Sequence, residues 1–498
     1  MTAAENNAGS ARWGKAEITL IAIAIVVRII EYARNKAIWL DEAHLALSIL
    51  RRSYGGLTER LDYGQGAPLA FLWAERFVVE SMGTSEYALR LVPVLASIAS
   101  CIVVYLFLSR FLSRNATLFS FAVFALSTPI IRYASEVKAY ATDLLVAVVL
   151  YVLLIPRNGT RMTVARTILA ILAGALAVWS AFPAIFVLIG IGSVLFVAAL
   201  RARDGKQTAA LATAGVAWLA SFAINYQLML RHNTENAEVR TWWLDRFMPL
   251  PPTSAADGAW FIRTYYELFA EPVGMSAAGV GAFLFVLGVH TLWNRNRMLL
   301  ACVLAPIAVT LLVSGLQRYP FMGRFLIFLA PLVLIVAGAG WDAFRAQTRS
   351  TLVWVMLLII IFAQPVTAVV RGIVKPPPEG VRPAFQYLSQ HWRDADGLYV
   401  YPWAVAPFQY YEIAYGRDFP EIEGVSSRAD WSHYIRELEA IDGNPRAWIL
   451  IATTPAQLVG EEPKFFLTHL DSHGQRIDSM LFPESSVYLY NLQSAGNE

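Results

Sequence analysis

Asp41 and Glu42 stand side by side in Trp39-Leu40-Asp41-Glu42-Ala43-His44, just past a long apolar segment. A carboxylate held within hydrogen-bond reach of a hydroxyl removes its proton as a general base. Two other groups of residues carry complementary chemistry. The stretch 132–143 brings Arg132, Glu136, Lys138, Tyr140 and Asp143 to the mouth of an apolar run, where ionisable groups are costly and face a cavity or each other. The stretch Gln317-Arg318-Tyr319-Pro320-Phe321-Met322-Gly323-Arg324 opens a later apolar run, and arginine offers phosphate a permanently charged fork. A base for an acceptor hydroxyl, with cations for a departing phosphate, is the equipment of group transfer from a lipid-carried donor.

Each group also has a plainer reading. Asp41 suits the N-cap of a helix running to about Arg51, with Glu42 at the positive end of its dipole. Leu45, Ala46, Ile49 and Leu50 give that helix an apolar face suited to the membrane interface, and Arg51 and Arg52 read as helix-end charges or headgroup contacts. If 132–143 is one helix, Arg132, Glu136, Tyr140 and Asp143 share a stripe, with Arg132–Glu136 an i,i+4 pair. Arg318, Tyr319 and Arg324 also fit an interface-anchoring belt, as do Arg231, Arg240, Trp242, Trp243, Tyr265 and Tyr266.

What must position these residues is a membrane-embedded bundle. Of 498 residues, 57% are hydrophobic and only 15% charged, against about 25% charged in soluble domains. The mean hydropathy is +0.48. A net charge of +3, with no basic run, gives no footing for nucleic acid. Cys101 and Cys302 lie inside apolar runs and read as small hydrophobes.

Eleven segments approach the ~20 apolar residues of a spanning helix: 16–34, 89–109, 115–131, 139–155, 165–182, 184–200, 208–230, 276–293, 298–316, 321–341 and 351–373. Alternate short loops hold Arg110 and Arg114; Arg157, Arg161 and Arg166; Arg201, Arg203 and Lys206; Arg295 and Arg297; Arg345 and Arg349. The positive-inside rule makes those loops cytoplasmic. The expected organisation is an N-terminal tail over 1–15, inside; a transmembrane module over 16–374; and an extracytoplasmic segment over 375–498. The long outer loops are 35–88 and 231–275. The last segment opens on Pro376-Pro377-Pro378, a stiff linker. Its helix-like (Ala384–Trp392) and strand-like (Gly397–Tyr401, Trp448–Ala452, Ser486–Asn491) pieces predict a small α/β domain. Tyr399, Tyr401, Trp403, Tyr410 and Tyr411 there suit either sugar stacking or packing.

With these groups placed, the chain resembles the GT-C superfamily of polytopic glycosyltransferases, in the branch of protein O-mannosyltransferases and the lipid A aminoarabinose transferase. Asp41-Glu42-Ala43-His44 resembles that branch's Asp-Glu-x-His motif. Gly64-Gln65-Gly66-Ala67-Pro68-Leu69 resembles the Pro-Pro-Leu motif that follows it. Ser135-Glu136-Val137-Lys138-Ala139-Tyr140 resembles Glu-x-Arg-Pro-Tyr, and Tyr319-Pro320-Phe321-Met322-Gly323-Arg324 resembles Tyr-Pro-Phe-x-x-Arg. Ala67, Lys138 and Ala139 depart from the pattern, and lysine offers phosphate a point charge rather than a fork. The resemblance covers roughly 16–373.

The resemblance implies a mainly α, polytopic GT-C fold of about eleven spans with a small C-terminal α/β domain, in the bacterial inner membrane. It implies inverting transfer of one sugar from a polyprenyl-phosphate donor to a glycan, lipid or protein acceptor. Asp41 would be the base, with Glu42 beside it. His44, Glu136, Lys138, Tyr140, Arg318, Tyr319 and Arg324 would hold the substrates, with Lys138 and Arg324 on the phosphate. No cofactor is expected, although Glu42, His44 and Glu136 form a partial set of ligands for a divalent metal. Membrane lipids are the other expected partners. The competing readings are a flippase or transporter of a lipid-linked glycan, which would favour matched inverted repeats, and a glycan polymerase or ligase.

Overall fold

The computed structural model describes residues 14–155, 163–231, 243–425, 431–452 and 461–493. Arg157, Arg161, Arg240 and Trp242 lie outside these ranges. The N-terminal part is a helix bundle that begins with α1 (Lys15–Ala33), α2 (Leu40–Arg51), α3 (Leu69–Met82), α4 (Glu86–Leu89) and α5 (Leu91–Phe111). It continues through α6 (Arg114–Leu126), α7 (Thr128–Arg132) and α8 (Tyr140–Leu154). Further helices follow at Val164–Ser180, Ala184–Arg201, Gly205–Asn225, Ala255–Ala270, Ala278–Arg295, Arg297–Gly315, Ala330–Gln347 and Thr351–Val374.

Every one of the eleven expected segments is helical, but they differ in their fitness to cross a bilayer. Among the described residues, six helices are long and apolar enough, or seven if α6 and α7, bent by 52° at Ser127, are one span. Tyr140–Leu154 and Val164–Ser180 are shorter. Helix α1 carries charge within its length because Arg28, fully buried, donates to Ser97 Oγ at 2.9 Å and lies over the Phe124 ring. Helix Ala330–Gln347 sits at the centre of the bundle, with buried residues all round, whereas Thr351–Val374 is exposed along most of its length. An all-round apolar helix is buried by protein or faces lipid, and these two are the extremes.

The C-terminal part carries a five-stranded mixed sheet: β1 (Gly397–Val400), β2 (Glu421–Glu423), β3 (Ala447–Ala452), β4 (Gln475–Leu481) and β5 (Ser485–Asn491), ordered β2-β1-β3-β5-β4. Strand β1 runs parallel to β2 and β3, and β5 runs antiparallel to β3 and β4. Tyr399, Ile449, Tyr490 and Phe466 build a core on one face. The other face shares its core with α2, where Leu45, Ala46 and Ile49 pack with Phe385, Phe408, Tyr410 and Tyr411. The apolar stripe of α2 is therefore covered by the C-terminal part, not laid in a membrane interface. The same tyrosines settle the packing question, since Tyr399, Tyr410 and Tyr411 are fully buried.

Candidate active site

Helix α2 starts at Leu40 with Trp39 as its N-cap and no side-chain cap. Asp41 is thus in the first turn rather than the N-cap, and its carboxylate is left for tertiary partners. The C-terminal part holds this turn in place. The Tyr411 hydroxyl accepts from the Ile38 N–H at 3.1 Å, the Ala37 N–H donates to the Pro378 carbonyl at 3.0 Å, and Arg51 donates to Gln409 at 3.0 Å. Arg52 pairs instead with Asp62.

The stretch 132–143 is not one helix. α7 ends at Arg132, a short 3-10 turn covers Tyr133–Ser135, and Glu136 is extended (φ −124°, ψ 147°) before α8 opens at Tyr140. The break undoes the expected stripe. Arg132 still meets Glu136 at 2.9 Å and lies over the Trp39 ring, but Lys138 now points at α2. Fixing that loop is the work of Glu42. Its carboxylate accepts the Val137 N–H at 2.8 Å and a forked pair of bonds from Arg90 at 3.0 and 2.6 Å. Arg90 also donates to the carbonyls of Lys36 and Ala37. Both side chains are almost wholly buried, 1% exposed for Glu42 and 3% for Arg90, so neither charge could stand there alone.

Around Asp41 three chain segments converge. Lys138 Nζ donates to Oδ1 at 2.9 Å, and Arg324 Nη1 donates to Oδ2 at 2.9 Å. Gln65 bridges, accepting from Lys138 at 2.6 Å and donating to Asp41 at 3.5 Å. Arg324 enters from the 3-10 segment Gly323–Leu329, just after Gly323, whose φ of +28° suits glycine. Its guanidinium lies within 6 Å of the ring centres of Tyr140, Trp243 and Phe325, an aromatic cage that steadies a cation and limits its rotamers. Tyr319 shapes the turn before it, donating from its hydroxyl to the Phe325 carbonyl at 2.9 Å.

Electrostatics follow from this packing. Burial pushes the Asp41 carboxyl up, but Lys138 and then Arg324 outweigh it and hold the group below the usual carboxylate range. Burial, reinforced by Arg324, draws the Lys138 ammonium down despite Asp41. His44 stacks flat on Tyr63, ring centres 4.3 Å apart. Burial lowers its pKa to about 4 against the pull of Asp41, so it is neutral at pH 7. Tyr63 takes a left-handed backbone (φ 55°) next to Gly64 (φ 63°), a costly geometry for an aromatic residue. Glu136 is raised by burial and by the nearby charge of Glu42.

The structure thus brings Asp41, Lys138, Arg324 and Tyr140 into one constellation, with His44 and Tyr319 at its border. Glu42 and Glu136 are neighbours turned to other partners, and Arg318 is exposed and stands outside the bonds to Asp41. The three side chains named as a partial ligand set turn to other partners: Glu42 to Arg90, Glu136 to Arg132, and His44 to Tyr63. Among the described residues no group of three or more His, Cys, Asp or Glu could hold a metal ion. Sequence reasoning missed Gln65 and Arg90 as members of this region. It placed Trp243 in an interfacial belt, whereas that ring covers Arg324. Gln65 lies inside a motif quoted above and had a signal; Arg90, an isolated cation ahead of an apolar run, had none.

No protein-family model matches the chain, and no curated protein matches it by sequence. Its architecture is similar to that of several solved structures. ArnT from Cupriavidus metallidurans, bound to undecaprenyl phosphate, is similar over 97% of this chain and 99% of its own, with a TM-score of 0.55 at 15% identity. The Archaeoglobus fulgidus oligosaccharyltransferase in complex with zinc and sulfate matches over 87% of this chain and 67% of its own, with a TM-score of 0.54 at 12% identity. The archaeal oligosaccharyltransferase AglB from the same organism, with an inhibitory peptide and a dolichol-phosphate, gives 95% and 74% coverage and a TM-score of 0.50 at 11% identity. By architecture, over 97% of its length, the chain has the GT-C-like fold of ArnT.

Proposed function

We propose that this chain is a membrane glycosyltransferase that moves one sugar, with inversion, from a polyprenyl-phosphate carrier to a hydroxyl of a cell-envelope glycan, lipid or protein. The observation that carries this reading is the position of Asp41 between two cations, Lys138 and Arg324, each 2.9 Å away. Lipid-phosphate ligands in the similar ArnT and AglB structures support the donor class. The basic loops described above support an orientation with the site and the 375–498 segment outside the cytoplasm, in a bacterial inner membrane.

A depressed carboxylate bonded to two cations is a weak base. Arrival of a sugar phosphodiester changes that, because Lys138 and Arg324 turn from Asp41 to the phosphate oxygens. Asp41, relieved of both, regains basicity and takes the acceptor proton. The acceptor oxygen bonds to the anomeric carbon, and the bond from that carbon to the phosphate oxygen breaks with its electron pair. The phosphate gains one negative charge as it leaves. Cations already in place stabilise that growing charge, an effect worth on the order of 10²–10³ in rate for a single preorganised donor. Gln65 keeps Lys138 aimed, and the ring cage does the same for Arg324.

The test is purified protein with a radiolabelled polyprenyl-phosphate sugar and a mixed acceptor fraction. Release of free polyprenyl phosphate, with label on the acceptor, is the expected outcome. Passage of intact donor across liposomes without release of the lipid phosphate would favour a flippase and overturn the proposal.

A further inference from the structure

A second feature lies a helix length from Asp41. The N-terminal half of α1, α6 and the helices 330–347 and 351–374 enclose a groove of about 660 Å³, within the ~300–1,000 Å³ common for ligand sites. Lys15 opens the 19-residue α1, whose two ends stand roughly 28 Å apart at 1.5 Å per residue, and Asp41 follows beyond its far end at Ala33. The groove is therefore separate from the site described above.

Its walls are graded. The floor is apolar and rigid: Phe119 stacks face to face on Trp341 at 4.0 Å, with Phe362 edge-on to Phe119. Leu20, Leu118 and Leu358 extend the trough. The mouth is polar, with Lys15, Asn115 and Arg345. Lys15 and Arg345 are exposed and, among the described residues, neither has a protein partner. The acids close by are engaged elsewhere. Glu17 takes Arg114 at 2.6 Å, and Asp342 accepts the Ser113 hydroxyl at 2.7 Å. Two unpaired cations and an amide above an apolar trough complement an anionic head on a hydrocarbon chain. Helix 351–374, only 11% buried over its apolar window, leaves the trough open to bilayer lipid on one side.

We infer that this groove is a binding site for an anionic glycerophospholipid, with the phosphate at Lys15 and Arg345 and one acyl chain against Phe119, Trp341 and Phe362. Each basic side chain near an anionic lipid surface contributes about 1 kcal/mol, so loss of both lowers affinity ~30-fold.

Native mass spectrometry of the full chain with phosphatidylglycerol and phosphatidylcholine tests the inference. Wild type retains phosphatidylglycerol at least ~10-fold better, and the preference fades with salt. In the Lys15→Gln/Arg345→Gln variant the preference is lost. Both positions are exposed, so folding is unaffected, and Ala122→Phe, which fills the trough, reduces retention of both lipids with the mouth intact. Equal retention of the two lipids by wild type, or an unchanged preference in the double variant, overturns the proposal. Retention of undecaprenyl phosphate alone at Lys15 and Arg345 also overturns it, by assigning the groove to a polyprenyl lipid.

Discussion

Asp41→Asn preserves the shape of the side chain and deletes the charge that Lys138 and Arg324 share. The proposed transfer of those cations to phosphate predicts that it moves two measurements in opposite directions. Turnover falls by the ~10²–10⁴-fold worth of a positioned general base. Affinity for the leaving lipid phosphate rises. A phosphate bridging the same two cations, each 2.9 Å from an Asp41 oxygen, stands roughly 5–6 Å from the carboxylate. Two unit negative charges at that distance repel by about 3 kcal/mol at an effective dielectric of 20. Asp41 is 20% exposed, and solvent screening brings this to about 1.5 kcal/mol, or ~10-fold tighter binding. Titration of undecaprenyl phosphate into wild-type and variant protein in detergent measures the affinity, and single-turnover release of labelled donor measures the chemistry. A variant that binds the phosphate more weakly than wild type refutes the exchange of cations. One that also turns over within threefold of wild type removes Asp41 from the reaction.

Four further outcomes follow from the same contacts. Gln65→Ala removes a hydrogen bond to an ammonium, worth about 1.5–3 kcal/mol, and is expected to lower kcat at least ~10-fold with little change in melting temperature. Arg90→Leu leaves the Glu42 charge buried without its partner, which costs about 3–5 kcal/mol; thermal unfolding in detergent should show a drop of several degrees. Arg324→Lys keeps the charge but loses the planar fit to the aromatic cage, and an activity loss of ~10-fold or more is expected in the transfer assay. His44 supplies a pH test. Its folded pKa is about 4 against about 6.5 unfolded, so between those values the unfolded chain binds a proton that the folded chain refuses. Stability therefore falls as pH drops from about 6.5 to about 4, by ~2 kcal/mol after allowance for partial exposure. His44→Phe should flatten that part of the pH–stability curve, and an unchanged slope would place the titration elsewhere.

The helices were legible because a spanning helix declares itself locally, through apolar length and flanking charge. Strands β1, β3 and β5 were legible for a similar reason, in short apolar runs such as Trp448–Ala452, whereas β2 and the largely exposed β4 were not read from the sequence. What misled was local too. Asp41 has the residue type of an N-cap, but Trp39 takes that position, and the decision turned on where α2 docks against Tyr411 and the Pro378 carbonyl. The stripe on 132–143 assumed one continuous helix, and the chain breaks at Glu136 because Glu42 captures the Val137 N–H from 95 residues away.

Residue types and order alone determined that this chain is an apolar helical bundle with acid and base chemistry at its helix mouths, because hydropathy and charge act over one or two helical turns. Tertiary structure alone decided which of those groups meet. Arg324 reaches Asp41 across 283 positions and Lys138 across 97. Arg318, six residues before Arg324, does not share those bonds, and Arg90, unmarked in sequence, secures the loop that aims Lys138. Such pairings depend on how helices pack and where a backbone breaks, and a short motif carries no record of either.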